Sequence, residues 1–321
     1  MDFPKSVPSV GLVAGKFVDE DPVLGTPGSL IPAQWGNGVT LEVLNVIQAA
    51  GLVPDEGNNA QMLASIRQLA ASGPSIQGAF KNLKSSATGT SASVTIAADE
   101  IIVRNSSGQY QILSSVSVTA STTGTLVNGL DAGTIAVSTW YSVWVIWNGT
   151  TTAGLLSLSA TAPTMPSGYT HKARVGWIRT DATANKYPLS FTQSGKSVQY
   201  KVATGSNVTA LPLLANGTAG SITTPPTWVA VGISNIVPPT ASRIKLYGTN
   251  TTASAGTIIS APNNSYAGTA TGTPPPLVMS NVGSSPNSVY CEFVIESVNI
   301  YWASSGSAAQ SLICLGWEDS L

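Results

Sequence analysis

The single histidine, His171, is the side chain best suited to acid–base chemistry near neutral pH. In a serine hydrolase it would act as general base, with Asp131 or Asp181 orienting its ring and a serine as the nucleophile. The Gly-X-Ser-X-Gly turn that presents such a serine is missing, because Ser194 stands in Thr-Gln-Ser-Gly-Lys without the preceding glycine. We therefore expect His171 to lie in a loop or at a strand edge and to have no catalytic role.

Paired carboxylates would instead indicate hydrolysis of a polysaccharide. Glu292 and Glu296 are four residues apart, which places them on one face of an extended strand at a spacing of about 13 Å. Glycosidases hold their two carboxylates about 5 to 9.5 Å apart. We expect these residues to be solvent-exposed, or to pair with Arg243 and Lys245 of another subunit. No catalytic residue is predicted.

The two cysteines, Cys291 and Cys314, both fall in predicted strands near the C-terminal end. They are either buried free thiols or, if the strands are neighbours, a disulfide. Two cysteines and one distant histidine do not make a zinc site. The sequence therefore predicts neither a bound metal nor a cofactor.

Charge is scarce in this chain. Only 9% of the residues are charged and the formal net charge is −1, against about 25% charged residues in a typical soluble domain. A nucleic-acid partner is not expected, because there is no excess of basic side chains to neutralise phosphates. Because so few charges are present, there is little electrostatic repulsion between copies of the chain. We therefore expect the sides of the molecule to be buried against copies of itself.

No segment of the sequence resembles a membrane span or a secretion signal. The longest apolar run, Tyr141 to Trp147, is much shorter than the roughly 20 residues of a membrane-spanning helix. The N-terminal residues have no positive region followed by an apolar core. We expect synthesis in a cytoplasm and no membrane insertion.

The elements that would position these side chains change in kind along the sequence. Prolines punctuate residues 1–35 and predict an extended leader, in which 10–18 is a candidate hairpin. Thr40 is a plausible N-cap for a first helix that Gly51 and Pro54 end. A second helix is expected from residues 55–59 to about 73–74. Residues 1–75 are thus predicted to be an extended leader with a small helical hairpin.

After a linker at 72–78 the apolar period changes from that of a helix to that of a strand. Short strands separated by Gly, Asn and Asp turns predict a mainly β fold. We expect two β-sandwich-like modules, at 76–195 and 196–321, with stiff proline loops at 237–242 and 269–276. The segment 289–302 is expected to be one strand.

The leader resembles the N-terminal region of tail fibre proteins from tailed bacteriophages and prophages. The matching segments lie within about the first 70 residues: Val7-Pro-Ser-Val-Gly-Leu-Val13, Gly15-Lys-Phe-Val-Asp19, Gly25 through Asn37, and Ala49-Ala-Gly-Leu-Val-Pro-Asp55 with Asn58-Asn59. A weaker similarity to distal fibre domains covers Trp228 to Ile233 and Val237 to Arg243.

The resemblance implies a fibre that joins the phage tail or baseplate at its N-terminal end and recognises a bacterial receptor at its distal end. Such proteins are generally homotrimers and act in the virion, so an intertwined homotrimer is expected here. The candidate tail-attachment residues are Phe17, Trp35, Leu44 and Ile47.

Aromatic residues near the distal end are the candidate receptor contacts, because their faces can stack on sugars or pack against a protein. They are Tyr266, Tyr301 and Trp302. The receptor is either a surface glycan or a protein appendage such as a pilus. Two alternatives remain open: a polysaccharide-degrading tailspike with glycosidase or esterase activity, and a purely structural tail component.

Overall fold

The computed structural model describes residues 3–25, 27–71, 78–251, 255–269, 272–281, 285–306 and 309–321. The chain divides into two compact units, Met1–Ser75 and Ile76–Leu321. The predicted linker and the predicted end of the second helix at 73–74 lie mainly outside the described residues, as does the middle of the proline loop at 269–276.

The N-terminal unit contains three helical elements, the 3-10 helix Pro8–Val10, α1 at Ala33–Ala49 and α2 at Gln61–Ala71. The predicted hairpin at 10–18 is reduced to one bridge between Val13 and Lys16. Among the described residues, neither α1 nor α2 is long and apolar enough to cross a membrane. The predicted pair of short helices is confirmed.

Helix α1 begins earlier than expected, so the prediction of Thr40 as its N-cap is wrong. Pro32 occupies that position with φ −64°, and its carbonyl oxygen accepts hydrogen bonds from the backbone N–H groups of Trp35 and Gly36. The hydroxyl of Thr40 instead donates to the carbonyl of Gly36 inside the helix. Proline is well suited to this start because it has no N–H to leave unpaired.

Gly51 ends α1, as predicted. Its φ of 77° is in the left-handed region that glycine adopts without strain. The N–H of Gly51 donates to the carbonyl of Gln48, and the N–H of Leu52 donates to that of Ile47. These are the two bonds of a Schellman cap, which satisfies carbonyls that the helix end would otherwise leave unpaired.

The C-terminal unit is built from strands, seventeen of them among the described residues. The first nine are β1 Phe80–Lys81, β2 Lys84–Ala87, β3 Ser93–Arg104, β4 Tyr110–Ser121, β5 Trp140–Trp147, β6 Thr152–Ser157, β7 His171–Arg179, β8 Phe191–Ser194 and β9 Ser197–Tyr200. The remaining eight are β10 Leu213–Asn216, β11 Val229–Gly232, β12 Ala241–Asn250, β13 Gly256–Ala261, β14 Leu277–Asn281, β15 Asn287–Val294, β16 Asn299–Ser304 and β17 Gln310–Asp319. The predicted mainly β fold with a short helical N-terminal part is confirmed.

Thirteen of these strands form one large sheet in the order β15-β12-β17-β9-β8-β2-β3-β7-β5-β6, with β1 and β4 also paired to β3 and β10 to β17. The strand pairs in it are antiparallel. Contrary to the prediction of short strands, not all strands are short: β3 and β4 are twelve residues each and pair in one register from Ser93↔Ser121 to Arg104↔Tyr110.

A second sheet of four strands, in the order β11-β16-β13-β14, lies against one end of the large sheet. Ile258, Met279 and Ile300 of the small sheet share a core with Leu246 and Leu312 of the large one. The predicted strand 289–302 is therefore two strands, β15 in the large sheet and β16 in the small one, joined by a turn at 295–298.

The expected boundary at 195/196 does not separate two units in this structure. It falls in the tight turn between β8 and β9, which pair from Phe191↔Tyr200 to Ser194↔Ser197. One hydrophobic core contains buried residues from both sides of it, including Val143, Val175, Ile244 and Trp317. The β part is one unit because its C-terminal strand β17 pairs with β9 inside the large sheet.

Candidate functional site

An open groove of about 530 Å³ lies on the β unit. Its floor is aromatic and aliphatic, with Trp177, Ile233 and Val237 each at most 3% exposed. Segments from five places in the sequence meet there: the start of β5, the residue after β6, β7, the loop between β11 and β12, and the turn between β15 and β16. We call it the body groove.

Hydrogen bonds hold the loop wall of the body groove in place. The indole N–H of Trp140 donates to the carbonyl of Ser234 at 2.9 Å, and that of Trp177 donates to the hydroxyl of Thr240 at 2.7 Å. The hydroxyl of Tyr200 donates to the carbonyl of Ile236 at 2.5 Å. Pro238 and Pro239 further restrict this loop. The wall is therefore formed before any ligand arrives, which lowers the entropic cost of binding.

The rim of the groove consists mainly of apolar side chains and includes one acidic side chain, that of Glu296. Leu158 and Val298 line it, and at 63% and 65% exposure they are the most exposed large apolar side chains described in the β unit. Glu296 is the only titratable residue among those that line the groove. Its Oε2 accepts a hydrogen bond from the amide of Asn263 at 2.8 Å. An exposed apolar edge of this kind is typical of a binding surface.

A buried ion pair lies behind the groove floor. Arg174 Nη1 is 2.6 Å from Asp319 Oδ2, and the Asp319 side chain is fully buried. The other carboxylate oxygen accepts from Thr240, the same hydroxyl that accepts from Trp177. Burial raises the pKa of Asp319, and the Arg174 guanidinium opposes that rise. This network connects β7 and β17 to the loop that forms the groove wall.

The predicted receptor contacts lie outside the body groove. Trp302 is 3% exposed and belongs to the core, so its ring is not presented to a partner. Tyr301 is half-buried in β16, and its carbonyl accepts from Ser260. Tyr266 is also half-buried, and its carbonyl accepts from the indole of Trp228. The structure does not bring these three side chains into one groove.

The residues considered for a hydrolase are also apart. His171 begins β7, where its Nδ1 contacts the hydroxyl of Thr170 and its ring packs edge-on against Trp147. Burial lowers the pKa of His171. Asp131 accepts from the backbone N–H of Thr164. Neither that bond nor the carboxylate contacts of Asp181 involve the histidine.

Asp181 instead anchors a loop. Its carboxylate accepts from Thr183 and from the amide of Asn207. Burial raises the pKa of Asp181, but these hydrogen bonds outweigh it and leave the pKa below its ordinary value. The carboxylate thus joins residues on both sides of the predicted 195/196 boundary.

The two glutamates lie in different structural settings. Glu292 is in β15 and forms an exposed pair with Arg243 at 3.6 Å, while Glu296 lies beyond the end of that strand. Arg243 therefore has a partner within its own chain. Lys245 is hydrogen-bonded to the hydroxyl of Ser197.

Cys291 and Cys314 are both free. They face the same residue, Leu246, from the two strands that flank β12. Cys314 is buried, which raises the pKa of its thiol to about 12, whereas Cys291 is only half-buried. In the described ranges, no three His, Cys, Asp or Glu side chains gather as a metal site would require.

The N-terminal unit has a groove of its own, of about 720 Å³, between α1 and the segment that leads into α2. Leu44 and Ile47, two of the candidate attachment residues, line it, although Ile47 is only 5% exposed. Phe17 and Trp35 are elsewhere in the unit, with ring centroids 5.1 Å apart, and Phe17 also packs against Phe3. The four candidates therefore form two pairs.

The body groove was missed because its parts look unrelated in the sequence. The stiff turn at 237–242 and the apolar run from Tyr141 to Trp147 are both visible in the sequence, but nothing local indicates that their neighbourhoods meet. Their contact depends on pairings between distant strands. The exposed Leu158 and Val298 are ordinary apolar residues in the sequence, and only their exposure marks them.

No protein-family model matches this chain, and no curated protein matches it.

Proposed function

We propose that this chain is a tail fibre protein of a tailed bacteriophage or prophage, which adheres to a bacterial surface without covalent chemistry. In this proposal residues 1–75 attach it to the tail or baseplate, the β unit binds the receptor, and three copies assemble in the virion. The resemblance of the leader to phage tail fibres supports the attachment role.

The body groove is the observation that carries the adhesion role. It is open, preformed and edged by exposed apolar side chains, as expected of a surface that binds a partner. Its one titratable lining residue, Glu296, contrasts with the two carboxylates that glycosidases use. Non-covalent binding needs no second carboxylate, so adhesion fits this groove better than polysaccharide hydrolysis does.

The N-terminal unit offers a different kind of surface, suited to being covered by other proteins. Many of its large apolar side chains are more than a third exposed: Val23, Leu24, Leu30, Ile31, Leu41, Val53, Met62, Leu63, Ile66 and Leu69. Among the residues of α1 and α2 whose burial is described, 33–49 and 61–70, only Ile47 and Ser65 are buried. A unit with so small a core needs further packing for stability. Tail proteins and neighbouring copies would supply it.

Deletion of residues 1–75 tests the two roles separately. The truncated protein should still adhere to cells and block adsorption of the phage, and it should no longer be incorporated into particles. Loss of adhesion together with normal incorporation would reverse the proposed polarity. Mass measurement of the full-length protein in solution tests the trimer.

The two alternatives give different results with the same protein. A tailspike enzyme would release oligosaccharides from purified surface polysaccharide, which an adhesin leaves intact. A purely structural tail component would bind no cells.

A further inference from the structure

We propose that the body groove binds a protein on the bacterial surface, taking up an aliphatic side chain next to a lysine or arginine, and that it does not bind a glycan. This inference rests on the proposed adhesion function and specifies its ligand. The groove combines a buried apolar floor, an exposed aliphatic rim and a single carboxylate that no described cation neutralises.

Several polar groups at the groove are already hydrogen-bonded within the chain. The indole N–H groups of Trp140 and Trp177 are both used internally, and the hydroxyl of Ser297 bonds to the backbone of Asn299. A sugar has a hydroxyl on nearly every carbon, and each hydroxyl that is buried without a partner costs free energy. Besides the Glu296 carboxylate and the Ser234 hydroxyl, the groove therefore offers few free side-chain donors and acceptors to a sugar ring.

The rim favours an aliphatic side chain instead. Leu158 and Val298 present the most exposed large apolar surface described in the β unit, and the buried Ile233 and Val237 continue that surface to the floor. Covering such a surface with an aliphatic group removes apolar area from water, at about 25 cal/mol per Å². Because the loop wall is already held by hydrogen bonds, binding does not have to order it, and little of the favourable free energy is lost as conformational entropy.

Charge complementarity identifies the neighbouring residue of the ligand. Glu296 is exposed at the groove edge, and its carboxylate contact is the neutral amide of Asn263. The ion pairs among the described residues involve other carboxylates, Asp319, Glu292 and Glu318. A lysine or arginine beside the bound aliphatic side chain would place its charge against Glu296 and favour association.

The experiment measures adhesion of the full-length protein to bacterial strains before and after two treatments of the cells. Protease removes surface proteins, whereas periodate cleaves the vicinal diols of surface glycans. We expect protease to abolish adhesion and periodate to leave it within twofold. Adhesion lost to periodate and retained after protease would overturn the inference in favour of a glycan, while leaving the adhesion function standing.

Groove variants connect that adhesion to this site. Leu158→Ser and Val298→Ser should each weaken adhesion about tenfold, because each removes apolar surface that the ligand would cover. Glu296→Lys should weaken it more than Glu296→Gln, because it places like charges together. Leu213→Ser is the matched control, since Leu213 is 52% exposed in β10 and outside the groove. It should leave adhesion unchanged, and circular dichroism should show that every variant is folded.

Other outcomes would each reject the inference. Equal adhesion of the groove variants and Leu213→Ser would place the receptor site elsewhere. A change in the oligomeric mass of Val298→Ser would mean that another copy of the chain occupies the groove. Absence of adhesion to any strain would remove the proposed function itself, and with it this inference.

Discussion

At the scale of single residues, Arg174 and Asp319 form a buried ion pair in the β unit. Both charges are largely removed from water, and their hydrogen bonds reach Thr240 and Ser320. A buried charge is tolerated only while its partner is present. The exposed pairs of Arg243 with Glu292 and Glu318, at 3.6 and 3.9 Å, lie in water and contribute much less.

Arg174→Leu should therefore lower the free energy of unfolding by about 3 kcal/mol, because it leaves the Asp319 carboxylate buried without a cation. Chemical denaturation followed by tryptophan fluorescence measures this change. Arg243→Ala is the control and should cost less than about 1 kcal/mol. Equal losses in the two variants would mean that the burial of Asp319 does not matter.

The deficit of Arg174→Leu should also depend on pH. Burial already raises the pKa of Asp319, and removal of the opposing guanidinium should raise it further. A carboxyl group with a raised pKa in the folded state binds its proton more tightly there than in the unfolded chain, so acid favours folding at this residue. The deficit should therefore be smaller near about pH 4 than at pH 7. A deficit that is constant or grows towards acid pH would contradict this account.

For the candidate receptor contacts, the sequence showed which side chains are aromatic but not whether they are exposed or buried. Tyr266, Tyr301 and Trp302 were chosen as aromatic residues near one end of the chain, but the strand alternation of β16 buries Trp302 in the core. Which face of a strand meets the core depends on which strands pair with it. That pairing is long-range, so a single local segment does not reveal it.

At the scale of elements, glycine is required at two positions, the end of α1 and the contact between β17 and β9. Gly51 has positive φ at the end of α1, with open space around it. Gly316 lies in β17 opposite Gln199, where a Cβ atom would lie 2.1 Å from the carbonyl oxygen of Val198. The first glycine is required by the backbone conformation and the second by the closeness of the next strand.

Gly51→Ala should destabilise the N-terminal unit by about 1 kcal/mol, because alanine adopts positive φ at a cost. Gly51→Asn should cost less, since asparagine tolerates that region better. Thermal unfolding followed by helical circular dichroism measures both. An alanine variant as stable as the asparagine variant would mean that the cap is not formed.

Gly316→Ala should cost on the order of 3 kcal/mol, because β9 must move to admit the methyl group. Gly232→Ala in β11 is the matched control, since its Cβ would lie 3.7 Å from the nearest atom, an ordinary contact. It should change the free energy of unfolding by less than about 1 kcal/mol. Similar stability of the two variants would show that β9 is not closely packed on β17.

Helices and strands could be predicted from the sequence where nearby residues alone determine them. The stop of α1 at Gly51 depends on one residue and its neighbours, and the alternation of Ile244 and Leu246 with polar residues in β12 is visible in the sequence. The start of α1 was misplaced because Thr40 is a good cap residue by type, whereas Pro32 is the one that begins the helix. The short strands β2, β8, β10 and β14 were not predicted, because their stability comes from the strands that pair with them.

At the scale of the whole molecule, the core decides how the β unit unfolds. Trp140 and Trp317 pack edge-on with ring centroids 5.4 Å apart, and Tyr200 packs against Trp317 at the same distance. These contacts join residues far apart in the chain. The sequence predicted the β class but not this single core, because composition changes little around residue 195.

A fragment of residues 76–321 should therefore fold alone and unfold in one cooperative transition. Fragments 76–195 and 196–321 should each fail to fold, because each loses the other half of the core. Differential scanning calorimetry of the long fragment and circular dichroism of the short ones test this. Two separate transitions in the long fragment would restore the two-module description.

The position of β17 also has a consequence for synthesis. Residues 310–319 form β17, which lies between β12 and β9 within the large sheet. β12 and β9 therefore cannot complete their pairing until the ribosome has made β17, which is translated after both of them. The body consequently folds after translation of nearly all its residues and not progressively behind the ribosome. A chain that ends before this point lacks the strand that joins β12 to β9, so we expect truncated copies not to form the large sheet.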